Sequence, residues 1–276
     1  MKEVKVSYAD LNNAGDLLNK DLIEKLSDYK IIRSKVYDAD MIAIGGALFG
    51  LQYSGGLRGL IQRGLKTVYG NKPLYIWGSG FLYGDRETPF YRNNLIVCAL
   101  RGRKTLEKIE KLTRNSYKDA VLADAGLLVD ILIDKKQQKK YKIGIIPHFS
   151  QQGEKQFCIE KNDPKYHLIN IMDSPKSVAE EIASCEYIAS SSLHGLIFAD
   201  SLHVPSLRIV GKTELPGGEF KFEDYYSCYG VSDSPWRDNE KLPTESDIAA
   251  GSCVDFDLVD EKKDALLKCF PKIERN

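Results

Sequence analysis

The sequence predicts an α/β fold with largely parallel sheets and helices on both faces, and three observations carry that prediction. Short apolar runs alternate with amphipathic or polar segments along most of the chain. Several of those runs end in glycine or hydroxyl residues, as strands do where they turn toward a helix. The alternation pauses at Lys135-Lys136-Gln137-Gln138-Lys139-Lys140 and then begins again. That charged run is read as the linker between two α/β units, residues 1–138 and 139–276, although a plain solvated loop has the same composition.

The elements follow in order. Residues 4–8 form a first strand, Asn12-Asn13-Ala14-Gly15-Asp16 a turn, and residues 17–26 an amphipathic helix. Buried strands at 41–44, 74–77 and 95–100 run into Gly45-Gly46, Gly78-Ser79-Gly80 and Arg101-Gly102. Residues 105–112 form a charged helix, and 126–133 a short apolar helix or turn. The second unit opens with a strand at 142–147 and a polar loop to residue 165. A strand or extended segment at 167–172 and a helix over 175–185 follow, the helix opened by Pro175. Residues 186–189 are a strand, and Ser190, Ser191 and Ser192 offer hydroxyls to cap the helix that His194 and Gly195 open. Pro205 ends that helix and 207–210 return as a strand. Residues 211–255, rich in Gly, Pro, Ser, Asp and Tyr, read as mostly irregular, and 257–269 as a final amphipathic helix.

Bulk properties narrow the function. Lys plus Arg equals Asp plus Glu at 39 each, so no global field draws the chain to nucleic acid or anionic lipid. Anion selectivity must come from local placement. No window of 18 apolar residues exists, so no membrane span is expected, and the start lacks a secretory apolar core. The six cysteines are scattered without a C-x-x-C pair, which fits reduced thiols and a cytoplasmic location. The histidine spacings match no zinc pattern, so no metal is assigned.

The richest chemistry sits between residues 185 and 211. A hydroxyl cluster and an imidazole lie at the carboxyl end of a strand and the amino end of a helix. Open α/β sheets bind ligands there, and a helix amino end favours an anion. His194 is an anion donor or a general acid/base, or an imidazole bonded to a local carbonyl. Arg101, ending a buried strand, suits bidentate binding of carboxylate or phosphate, or else pairs with a neighbouring acid. His148 after its strand is a ligand contact or a loop residue; His167 and His203 are structural. Asp16 is a helix cap or a carboxylate facing the cleft. Gly45, Gly46 and Ser79 at strand ends allow close approach of a ligand, or serve only the turns. Lys221 with Asp224, Tyr225 and Tyr226 suits sugar recognition, or packs around Phe220 and Phe222.

Taken together these pieces resemble the polysaccharide pyruvyl transferase family. Asn13-Ala14-Gly15-Asp16 resembles its N-x-G-D element, and Ile44-Gly45-Gly46 its first glycine turn. Gly78-Ser79-Gly80 and Arg101-Gly102-Arg103-Lys104-Thr105 resemble its G-S-G and R-G-x-x-T blocks. Asp124-Ala125-Gly126-Leu127-Leu128 resembles D-P-G-L-L, with Ala125 where proline is common. Pro147-His148 closes a strand like the one that opens the family's second half. Ser192-Leu193-His194-Gly195 with Pro205 is the most specific block.

The resemblance implies two Rossmann-like domains arranged as in GT-B glycosyltransferases, with the active site between them. It places the acceptor on the first domain and the donor on the second, with the last helix packing back on the first. The implied reaction moves pyruvate from phosphoenolpyruvate onto two sugar hydroxyls as a ketal, in capsule, exopolysaccharide or other cell-surface glycan synthesis. No cofactor is needed beyond phosphoenolpyruvate as donor substrate. His194 and Asp16 become the catalytic candidates. Arg101, Ser192, Leu193, Gly195, Gly45, Gly46, Ser79, His148 and Lys221 become the binding candidates. Some members carry arginine where this chain has Ser192, which leaves Arg58, Arg208 or Lys221 to offset the donor's charge. The acceptor is a nucleotide sugar or a lipid-linked oligosaccharide. The second would bring the protein to the cytoplasmic membrane face without an integral segment. A nucleotide-sugar-dependent glycosyltransferase of the same architecture is the alternative reading, and a silent sugar- or phosphate-binding protein is the third.

Overall fold

The computed structural model describes residues 2–9, 11–133, 137–160, 163–238 and 240–273, and within them every strand pairing between named strands is parallel. The first half runs β1 (Lys2–Val6), α1 (Ala14–Leu26), β2 (Tyr29–Arg33), β3 (Met41–Ile42), α2 (Gly56–Tyr69) and β4 (Leu74–Ser79). It continues through β5 (Leu95–Leu100), α3 (Arg103–Thr113) and β6 (Val121–Leu122). These strands form one sheet in the order β2-β1-β3-β4-β5-β6. A 3-10 segment, Ala125–Leu132, then leads toward β7 (Tyr141–Ile146), β8 (Tyr166–Leu168), α4 (Pro175–Ala183) and β9 (Cys185–Ser190). After α5 (Leu193–Ser201) and β10 (Ser206–Arg208) the second sheet is complete, in the order β10-β9-β7-β8. Helices α6 (Phe220–Ser227), α7 (Glu245–Gly251) and α8 (Phe256–Lys268) close the chain.

The expected alternation is therefore present as two parallel sheets, with three departures. Strand β2 was not expected, because Tyr29 to Arg33 lacks alternation and no glycine turn follows it. It pairs in register with β1 from Lys2↔Tyr29 to Val6↔Arg33 and covers that strand's outer edge. Helix α2 was hidden by glycines at 56, 59 and 64, which lower helix propensity. Residues 211–255 are mostly irregular, as expected, but they also contain α6 and α7. Phe222, Tyr225 and Tyr226 are buried on α6 at helical spacing, and Thr244 with Asp247 forms a reciprocal cap on α7. Of the charged run read as a linker, Lys135 and Lys136 lie outside the described residues.

The sheets do not have separate cores. One cluster joins Val4 and Val6 of β1, Leu18 and Leu22 of α1, Ile188 of β9, Leu196 and Ile197 of α5, and Leu266 of α8. Each sheet has a second cluster on its other face, around Ile42, Leu74 and Ile76, and around Ile143, Ile145 and Leu207. Helix α8 returns to the first sheet. The Trp77 indole N–H donates to the Leu266 carbonyl at 3.0 Å, and its ring meets Phe270 edge-on at 4.9 Å. Burying one such side chain stabilises by roughly 2–3 kcal/mol, so α8 anchors the two halves together.

Strand order decides where a ligand has room. In the first sheet the order reverses between β1 and β3; in the second it reverses between β7 and β9. Helices leave opposite faces on either side of such a point, so a crevice opens beyond the carboxyl ends of those strands.

Candidate functional site

Both crevices open into one cleft of about 550 Å3. Beyond β1 it is lined by Ser7 and Tyr8, and beyond β3 by Ile44, Gly45 and Gly46. Beyond β7 it is lined by His148 and Phe149, and beyond β9 by Ser192, Leu193 and His194. Asn13 and Asp16 from the start of α1, Arg101 after β5 and Lys221 on α6 complete its polar wall. Arg33, which ends β2, with Ser34 and Lys35 after it, forms its outer end together with Val36, Phe49 and Gly50.

The start of α1 shows why its motif has that spelling. The Asn13 side chain accepts from the Asp16 N–H at 3.1 Å and caps the helix. Its amide also donates to the Asp16 carboxylate at 2.5 Å. Gly15 is needed for contact across the seam: a Cβ there would stand 1.8 Å from His194 Nδ1. The imidazole therefore packs directly on the backbone of α1. Asp16 faces Gly45, whose φ of +93° suits glycine, and Ala14 N–H donates to the Ile171 carbonyl at 2.8 Å. Burial pushes the Asp16 carboxyl up to about 6, against the Asn13 hydrogen bond.

The serine turn divides its work. Ser190 Oγ donates to the Ile146 carbonyl and accepts from the Ser192 N–H, and Ser191 Oγ accepts from the His148 N–H at 2.8 Å. Those two hydroxyls hold β7 and β9 ends together. Ser192 is the N-cap of α5 but makes no side-chain cap, so the first-turn N–H groups of that helix have no hydroxyl covering them. Gly195 does not line the cleft; a Cβ there would lie 2.4 Å from Ser190 Oγ, so its role is close packing of α5. Ser79 also stays outside the cleft lining, buried and donating to the Gly45 carbonyl at 2.8 Å.

Burial drives the His194 imidazole down to about 3, and Arg101, Lys221 and His148 add to that effect. Its Nε2 is buried without a hydrogen-bond partner. His148 is lowered to about 4, by burial first and Lys221 second. Both rings are neutral at pH 7. Arg101 pairs with an acid, one of its two sequence readings. It lines the cleft, yet it is buried against Asp224, with Nε donating to that carboxylate at 2.8 Å and Nη2 to the Phe81 carbonyl at 2.6 Å. Asp224 also accepts from the Thr105 N–H and hydroxyl, each at 2.7 Å, which locks α6 to the start of α3.

Lys221 is the other cation of this wall. It is 7% exposed, and among the described residues its ammonium makes no hydrogen bond or ion pair. Burial, then Arg101 and Arg208, lowers it to about 8. The two other compensating cations named from the sequence do not reach the cleft lining. Arg58 lies on α2, and Arg208 is held by Glu219 and Asp233 and stacks 3.7 Å from the Phe222 ring centroid. His167 pairs with Glu181 at 2.9 Å and stacks on Tyr141, and His203 pairs with Asp260 at 3.0 Å, in keeping with structural roles. Sequence reasoning did not find Gly15, Tyr8 or the Arg33–Lys35 rim. Only the N-x-G-D spelling pointed to the first.

Comparisons with known proteins bear on this site. The family described as polysaccharide pyruvyl transferase matches residues 4–212, a span holding every cleft-lining residue named above except Lys221. An uncharacterized protein of Acanthamoeba polyphaga mimivirus is 30% identical over 279 aligned positions, covering 96% of this chain and 90% of that one. A succinoglycan biosynthesis protein of Rhizobium meliloti is 24% identical, over 58% of this chain and 49% of its own length. A functionally uncharacterized Klebsiella pneumoniae protein of known structure aligns over 82% of this chain and 87% of its own, with a TM-score of 0.45 and 14% identity.

Proposed function

The chain belongs to the polysaccharide pyruvyl transferase family, and from that membership we propose that it moves pyruvate from phosphoenolpyruvate onto two hydroxyls of a sugar, forming a ketal. The observation that carries the donor assignment is Lys221, a buried ammonium without a counter-ion at the wall of the cleft. Such a group is costly until an anion arrives. The uncovered N–H groups of α5 favour the same ligand.

In this reading the donor's phosphate lies between Lys221 and the amino end of α5, and Arg101 faces its carboxylate. The residues then divide the proton work. His194 is neutral in the empty cleft, and the donor's negative charge favours its protonated form. It gives a proton to the methylene carbon of phosphoenolpyruvate, making C2 electrophilic. Asp16, titrating near 6, takes the proton of the first sugar hydroxyl as it adds to C2. Phosphate leaves, and the second hydroxyl closes the ketal as its proton passes to His194. Tyr8 and Phe49 with Arg33 and Lys35 at the outer end fit an acceptor with an apolar face and an anionic group. The product serves cell-surface glycan synthesis in this reading.

Thermal unfolding with phosphoenolpyruvate, against matched phosphate and pyruvate, tests the donor. A ligand at ~100 times its dissociation constant adds about 2.7 kcal/mol of stability. Stabilisation by phosphoenolpyruvate beyond that by phosphate, lost in Lys221→Met, is expected. Stabilisation by nucleotide sugars alone, with no response to phosphoenolpyruvate in their presence, would move the assignment to a glycosyltransferase.

A further inference from the structure

We propose that α2 is a docking helix that lies in the surface of an anionic lipid membrane. A helix joining two strands of a parallel sheet ordinarily buries an apolar stripe on that sheet. This one buries none of its residues. Leu57, Leu60, Ile61 and Val68 are 74, 61, 56 and 72% exposed. At 100° per residue these four fall on one side of the helix, an apolar stripe turned to solvent.

The helix is held from its flank. Gln62 accepts from the Ser54 N–H at 2.6 Å and donates to the Gln52 carbonyl at 3.2 Å, and Tyr69 packs on Tyr37 at 5.5 Å. The attachment leaves the stripe facing outward. The charged residues of α2 are Arg58, Arg63 and Lys66, with no acid among them. None of the three is ion-paired among the described residues. At the same 100° per residue Arg58 and Arg63 flank the stripe on its two sides and Lys66 lies on the opposite face. An exposed apolar stripe flanked by unpaired cations matches a headgroup layer, where the stripe sinks among acyl chains and the flanking cations meet lipid phosphates. The same charges set α2 against a second copy of itself. At 1.5 Å per residue its 14 residues span about 21 Å, short of the ~30 Å hydrocarbon core, so it lies in the surface plane.

The placement has a use for the cleft. Phe49 and Gly50 line the cleft's outer end, and the chain passes from them into α2. Docking through α2 presents that end to the lipid surface, where an acceptor held in the membrane would be within reach. The docking inference stands apart from the pyruvyl assignment, since lipid binding needs no donor.

Co-sedimentation of the full chain with vesicles tests it. Vesicles of equal parts phosphatidylcholine and phosphatidylglycerol are expected to bind the chain, with phosphatidylcholine alone binding far less and salt weakening the capture. Replacing Arg58 and Arg63 together by Gln is expected to lower partitioning about 25-fold, at about fivefold per cation. Leu57→Gln with Leu60→Gln is expected to lower it by a similar factor. All these residues are exposed, so circular dichroism and the phosphoenolpyruvate response are expected to be unchanged. Absence of vesicle binding by the unmodified chain, or binding that survives both variants, overturns the proposal. So does binding of polyglutamate in place of vesicles, which assigns the helix to an acidic protein. A dimer in light scattering that Leu60→Gln dissolves, without vesicle binding, overturns it in favour of a second copy.

Discussion

Asp16→Asn is expected to make the protein more stable at neutral pH while abolishing turnover. Asp16 titrates near 6 in the fold against an ordinary 3.8, because burial disfavours its charge. At about 1.36 kcal/mol per pH unit, holding it ionised costs the folded state about 3 kcal/mol at pH 7 as an upper value. The sign follows from proton counts. Between pH 3.8 and about 6 the folded chain keeps a proton that the unfolded chain has lost. Stability from this site is therefore fully present below 3.8 and lost as the pH rises through about 6. Asparagine keeps the shape and stays neutral, so it removes that loss. Urea unfolding of both proteins across this range reads it directly: a gain of about 1–3 kcal/mol at pH 7 that shrinks toward zero near pH 4. A variant no more stable at pH 7, or a gain that does not change with pH, would refute the argument. Asp16 would then be an ordinary first-turn carboxylate with an ordinary pKa, unsuited to act as base near neutrality.

Three further outcomes follow from the same geometry. Lys221→Met is expected to weaken phosphoenolpyruvate binding about 10- to 100-fold by titration calorimetry without loss of stability, since it removes a buried cation that the empty protein leaves unpaired. In the unmodified protein that affinity is expected to fall as the pH rises through about 8, where Lys221 loses its proton. Asp224→Asn is expected to cost about 3–5 kcal/mol in denaturant unfolding, because Arg101 keeps its charge in a buried place after its partner is gone. Gly15→Ala is expected to lower turnover at least tenfold and to cost about 1–3 kcal/mol in denaturant unfolding, because the new methyl overlaps the buried His194 ring.

How much of this was legible depends on whether the signal was local. Strands ending in Gly45-Gly46 and Ser190-Ser191-Ser192, and a helix opened by His194, were readable because strand, turn and cap chemistry span a few adjacent residues. Nine of the eleven site residues singled out by sequence line the cleft: Asp16, Gly45, Gly46, Arg101, His148, Ser192, Leu193, His194 and Lys221. Ser79 and Gly195 lie outside the cleft lining, because a small residue at a strand end serves packing as well as it serves a ligand. The partner of Arg101 was out of reach because Asp224 lies 123 residues away. Helix α2 was missed because its glycines weaken the local signal, and its apolar residues do not join the core that makes helices recognisable.

The buried Arg101–Asp224 pair explains the placement of Lys221. A desolvated ion pair is weak evidence for stability by itself, since the loss of hydration offsets most of the attraction. Here the pair also fixes geometry. Asp224 holds Arg101 and both polar groups of Thr105 from α6, and Lys221 sits three residues earlier on the same helix, on the neighbouring turn. A helix pinned at Asp224 cannot rotate Lys221 out of the cleft. Lys221 lies in the second half of the chain and is pinned to the first sheet, whereas His194 is pressed on Gly15 of α1 from the other direction. Both groups thus belong to the second half of the chain and are positioned by contacts with the first. That arrangement makes the seam itself the determinant of the site.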